Sequence, residues 1–202
     1  AVLAGLLIGV GGTVYLSVEN KIAGSFLFGI GLFAIVTYSF HLYTGKVGYT
    51  LQNKPAYLGY LGLILTGNFV GASLAGILVR QTRLSDLALR AAELCQVKLA
   101  DSGWSILILA IFCGLLMYLA VDGYRSIENA FGRCLIVFLG VMVFILCGFE
   151  HCVANMFYFS LAAAWTPKAF AYLLLMIVGN GLGALLIPAV RLWTRPAAIS
   201  QK

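Results

Sequence analysis

The sequence predicts an all-α membrane protein of six transmembrane helices, built as two inverted three-helix repeats whose second and fifth helices are broken. Three observations predict it. The 202-residue chain is 62% hydrophobic and only 10% charged, with mean hydropathy +1.00. An ordinary soluble domain is about 45–50% apolar and about 25% charged. Six stretches approach the roughly 20 apolar residues that a spanning helix needs. A G-N-x-x-G-A pattern occurs twice, at Gly67–Ala72 and Gly179–Ala184.

The helices are taken in order. Ala1–Val18 and Ile22–Tyr43 are joined by "VENK". "TGKVGYTLQNKP" leads to Ala56–Val79. A long connection containing "LSDLALRAAELCQV" follows and has the pattern of a helix of its own. Trp104–Val121, Cys134–Ala164 and Phe170–Trp193 complete the set, separated by "DGYRSIENAFGR" and "AWTPK". Short alternating segments, the signature of barrel strands, are absent. The whole chain, 1–202, reads as one transmembrane domain, with repeat halves at about 1–80 and 101–193 linked by 81–100. The opening is apolar and lacks the basic start of a signal peptide, so the first helix is expected to begin before residue 1.

The two G-N-x-x-G-A copies argue the repeat. They lie 112 residues apart, Asn68 against Asn180, and "AGLLIGV" in the first helix echoes "CGLLMYL" in the fourth. Three is odd, so two copies of three helices insert in opposite senses. Such inverted repeats belong to channels and transporters, with a site near the midplane where helices are interrupted. Small residues four apart also permit close helix packing, the plainer role of these glycines.

The interruptions fall in the second and fifth helices. His41, Thr44, Gly45 and Gly48 break one; Glu150, His151 and Asn155 break the other. The chain's two histidines therefore sit one in each break, and ionisable groups at membrane depth are costly and usually functional. Glu150 is expected to pin its break through a backbone N–H or a neighbouring helix; a proton-relay role is the sharper alternative.

Charge and cysteine content exclude other classes. The net charge of +6 comes from Lys and Arg scattered at segment ends, without the basic run of a nucleic-acid binder. Five cysteines without a C-x-x-C pair indicate neither a disulfide framework nor a zinc site. No metal, cofactor or catalytic residue is expected, since H-E-x-x-H and G-x-S-x-G are absent. Seven basic residues on the terminus side, Arg195 and Lys202 among them, face six on the other. Setting aside the long connection, which supplies most of the opposing charge, the balance places both termini in the cytoplasm.

"GFEHCVANMF" (Gly148–Phe157) resembles the signature of the formate/nitrite transporter family, typically G-[FY]-E-H-S-[IV]-A-N-M. "LTGNFVGA", "VGNGLGA" and "HLYTGKV" resemble that family's other motifs, so the likeness covers essentially the whole chain. It implies a homopentamer in a bacterial or archaeal cell membrane, each protomer aquaporin-like with its own pore for small monovalent anions of weak acids. It implies His151 as the central pore histidine, Thr44 as its partner on the opposing loop, Asn180 as a pore-side amide and Lys98 as a vestibule lysine. Phe28 and Phe144 are implied as the outer constriction, and Leu32, Leu42 and Tyr43 as the inner one; plain helix packing is the other reading of the phenylalanines. His41, Gly114 and Cys152 replace the Glu, Asn and Ser usual in formate and nitrite members, which brings the chain closer to the hydrosulfide-channel subgroup. A hydrosulfide channel is the leading expectation; a formate or nitrite channel, or a proton-coupled transporter of the same anions, is the alternative.

Overall fold

The computed structural model describes residues 1–194, all helix and connection with no strand among them. Arg195 and Lys202, counted in the charge balance above, lie outside the described residues. Nine α-helices run in order: α1 Val2–Ser17, α2 Lys21–Thr37, α3 Tyr43–Lys46, α4 Tyr57–Val79, α5 Leu87–Ala100, α6 Gly103–Ser126, α7 Ala130–Leu146, α8 Cys152–Leu161 and α9 Pro167–Trp193. A 3₁₀ turn, Val47–Gln52, extends α3.

Side-chain caps start many of these helices by satisfying their orphan N–H groups. Asn20 accepts from Ile22 N and Ala23 N ahead of α2, and Ser102 from Ser105 N ahead of α6. Asn129 caps α7, and Thr166 caps α9 with Pro167 in its first turn. The helical pattern in the long connection is α5.

Helices α4, α6 and α9 are each long and apolar enough to cross a membrane alone, and α1, α2, α7 and α8 are shorter apolar helices. The expected stretch Cys134–Ala164 is therefore two helices, and Ile22–Tyr43 stops being helical after Thr37. Each stop has one form. After α2, Ser39 takes a left-handed φ of 56° and Phe40 N donates back to Ile35 O at 2.9 Å. After α7, Gly148 takes φ 68° and Phe149 N donates back to Phe144 O at 2.9 Å. The chain then runs extended through Leu42 or His151 before the next helix starts.

Pairs of helices close through glycine. In α1 a Cβ on Gly5 would strike Asn68 O of α4, and in α6 a Cβ on Gly114 would strike Asn180 O of α9. Gly114 is thus a packing position, which removes it as an indicator of which anion passes. Helices α2 and α7 also pack together, with Phe26 stacked on Phe138 at 4.8 Å between centroids.

Candidate functional site

Two asparagines hold the breaks open. Asn68 Oδ1 accepts from Tyr43 N at 2.8 Å, while its Nδ2 donates to Ala1 O and His41 O, each at 2.9 Å. Asn180 Oδ1 accepts from Cys152 N at 2.9 Å, and its Nδ2 donates to Ala110 O and Glu150 O, each at 2.8 Å. The backbone partners correspond at an offset of 109 residues: Ala1 with Ala110, His41 with Glu150, Tyr43 with Cys152. A primary amide suits this work because it carries both donors and an acceptor. Asn180 is fully buried and spends its amide on backbone, so the expected pore-side amide is a structural one. The two histidines, one in each break, do not correspond in this register. His41 occupies the place of Glu150, and His151 that of Leu42.

Open cavities lie on either side of a closed centre. The first mouth, about 20 Å³, is lined by Ile35, Ser39, Phe40, Leu42, Lys46 and Arg125 among others. The second, about 80 Å³, is lined by Phe144, Gly148, Phe149, His151, Asn155 and Lys98 among others. Five of these first-mouth residues recur in the second at the same offset of 109: Ile35 with Phe144, Ser39 with Gly148, Phe40 with Phe149, Leu42 with His151, and Lys46 with Asn155.

Between the mouths Thr44 Oγ1 meets His151 Nε2 at 3.0 Å, both side chains buried. Ala154 N donates to His151 Nδ1 at 3.1 Å and makes the ring the cap of α8. An N–H pointing at Nδ1 leaves a lone pair there, so the neutral ring carries its hydrogen on Nε2 and donates it to Thr44. The hydroxyl hydrogen of Thr44 then remains for another acceptor. Phe144 lies 5.5 Å from the His151 ring and 5.8 Å from Phe28, edge-on to the latter. Phe28, Leu32, Leu42 and Phe144 are all buried. Tyr43 is turned away: its phenol donates to Ile177 O at 3.1 Å and packs against Gly181 of α9.

Lys98 reaches the second mouth from α5 but is not a lone cation. Its Nζ donates to Glu150 Oε1 at 2.9 Å and Oε2 at 2.7 Å. Asn155 Nδ2 adds a bond to Glu150 Oε2 at 2.8 Å and another to His151 O at 3.0 Å. Asn155 Oδ1 is left buried without a partner among the described residues. Glu150 thus pins the break through α5 rather than through a backbone N–H. Sequence reasoning gave Asn155 no role, although its five-residue distance from Glu150 on a helix start was visible.

The arrangement offers hydrogen-bond donors at a buried contact between two cavities, and no cluster of metal-binding side chains among the described residues. Residues 1–194 match the family profile described as "Formate/nitrite transporter". A "Formate-nitrite transporter" of Plasmodium knowlesi is 27% identical over 232 residues, covering 96% of this chain and 74% of the relative. Two solved structures share the fold. One, described as a pentameric formate channel with formate bound, superposes with a TM-score of 0.80 at 22% identity, covering 95% of this chain and 93% of that one. The other, described as an FNT family ion channel, gives 0.81 at 20% identity, covering 96% and 88%.

Proposed function

Because this chain belongs to the formate/nitrite transporter family, we propose that it is a passive membrane channel for small monovalent anions of weak acids, with hydrosulfide as the favoured cargo. In this reading it crosses the membrane six times, with α2–α3 and α7–α8 each forming one broken crossing. It works as a homopentamer in a bacterial or archaeal cell membrane, with its termini in the cytoplasm and one pore per protomer. A related solved structure described as pentameric supports the assembly.

The Thr44–His151 bond carries the proposal. A bare anion entering an apolar constriction loses its hydration at large cost unless donors replace the water. Phe28, Leu32, Leu42 and Phe144 supply the apolar walls. At the centre, the Thr44 hydroxyl and the His151 Nε2–H are the two hydrogens that can turn onto a passing anion. His151 serves here as a neutral donor. Surrendering its Nε2 hydrogen outright would leave an imidazolate, because Nδ1 is already held as an acceptor by Ala154. That favours passage of the anion over proton transfer from the ring.

Asn155 supports hydrosulfide. Its Oδ1 is an acceptor in want of a hydrogen beside the second mouth. Hydrosulfide brings an S–H, a weak donor, whereas formate, nitrite and chloride bring no such donor. Flux of the four anions into proteoliposomes, with and without a proton gradient, tests the reading. Hydrosulfide should pass fastest and follow its own gradient, and His151→Ala with Thr44→Val should abolish the preference. Faster formate or nitrite flux would move the cargo assignment, and uphill uptake driven by protons would replace the channel with a coupled transporter.

A further inference from the structure

We propose that the first mouth holds a binding site for the permeating anion, built by Lys46, Arg125 and Ser39. The inference rests on the channel reading above and assigns the side from which the anion is captured. The two mouths are equivalent in backbone but differ in charge, one neutral and one positive. In the second, Lys98 is neutralised by Glu150, and Asn155 adds an amide to the same carboxylate. In the first, the place of Glu150 is taken by His41 and that of Asn155 by Lys46. The carboxylate is gone and a cation has been added.

Arg125 brings a second cation to the same cavity from the end of α6. Among the described residues neither Lys46 nor Arg125 forms an ion pair. Arg125 lies 5.1 Å over the Tyr49 ring, a contact that satisfies no charge of the guanidinium. The carboxylate of Asp122, one turn back on α6, is already held by Arg191 at 2.9 Å and by the Tyr49 hydroxyl at 3.2 Å.

Ser39 completes the set. It occupies a left-handed conformation, φ 56°, where the equivalent break has Gly148 at φ 68°. Glycine takes that conformation freely and serine only at a cost. The side chain retained there is a hydroxyl on the wall of the cavity. Two cationic groups and a hydroxyl around a cavity of about 20 Å³, backed by Leu42, Phe40 and Ile35, form a site rich in donors with room for one water-sized species. Low-dielectric walls focus the field of those cations and raise the local anion concentration.

The test uses the full-length protein in planar bilayers, with sodium hydrosulfide or sodium formate added to one side at a time. Lys46→Asn gives the first mouth the residue that the second carries at the equivalent position. It should raise the half-saturating anion concentration about tenfold from the first-mouth side, and leave the other side within about twofold. The salt dependence of entry from that side should flatten, since fewer fixed charges remain to be screened. Lys46→Arg should restore entry, and Arg125→Gln, at an exposed position, should shift it in the same direction. Equal effects from both sides, or none, would overturn the site. Thermal stabilisation of the purified protein by each anion separates this claim from the channel reading. Stabilisation lost in Lys46→Asn, in a wild type that carries no current, would keep the site and sink the channel. Current without any side-dependence would do the reverse.

Discussion

Asn180 touches Glu150 and Cys152 on either side of His151, donating to the carbonyl of one and accepting from the N–H of the other. His151 is thus held from both sides by an amide that is not bonded to its ring. Replacing Asn180 with Ala would strand Ala110 O, Glu150 O and Cys152 N in a dry interior. An unmet buried group costs about 1–3 kcal/mol, so a loss of about 3 kcal/mol or more is expected. Asn180→Asp should be worse, since a carboxylate cannot donate to the two carbonyls. Thermal unfolding in detergent checks both. An Asn180→Ala protein as stable as wild type would show that the break holds itself.

Lys98 and Glu150 form a largely buried pair, with side-chain exposures of 14% and 3%. Removing one partner of such a pair strands the other charge and costs about 3–5 kcal/mol. Glu150→Gln and Lys98→Met should therefore each destabilise strongly, and the double variant by clearly less than the two losses combined. A double-mutant cycle on unfolding free energy measures the coupling. Simple additivity would mean that the pair is incidental.

Gly114 lies against the backbone of Asn180. Backbone cannot swing aside as a flexible side chain can. Gly114→Ala should cost about 1–3 kcal/mol by overpacking, and Gly114→Asn, the residue usual in formate and nitrite members, should cost more. Folded yield and Tm report this directly. An unchanged Tm for Gly114→Asn would show that α6 and α9 can part.

Asp101, in the connection between α5 and α6, has its carboxyl held below the usual carboxylate range, first by the Ser105 hydroxyl and then by the Ser102 N–H. A carboxyl depressed in the folded state stabilises above its unfolded value and loses that contribution as pH falls through the folded one. The window is acidic, below about pH 4. Ser105→Ala should shrink the part of the acid-induced Tm loss that belongs to Asp101, while the Tm difference between the two proteins is largest at neutral pH. A Tm difference that does not change between pH 7 and pH 3 would remove Asp101 from the acid response.

The breaks were legible because His41, Glu150, His151 and nearby glycines interrupt otherwise apolar runs. Their correspondence was not. Residue types do not reveal it, because the fold matches backbone roles, and those pair His41 with Glu150. The Lys98–Glu150 bond joins residues 52 positions apart and depends on α5 folding back on α8, which leaves no local trace. Asn180 misled for a chemical reason. A lone amide in an apolar helix suggests a pore lining, yet the same donors and acceptor serve unpaired backbone equally well. The Lys46 mouth could have been found by aligning "HLYTGK" with "EHCVAN", since Lys46 follows His41 at the distance at which Asn155 follows Glu150.

Anchoring both breaks through main-chain atoms has a consequence for substitution. Asn68 and Asn180 are indifferent to which side chains occupy the segments they hold. Segments under that constraint can differ in side chain without endangering the architecture they share. One is a polar latch beside a neutralised entrance, and the other a basic entrance with an aliphatic neck. A substitution in one segment can therefore alter its own surroundings while the amide clasp of the other stays intact.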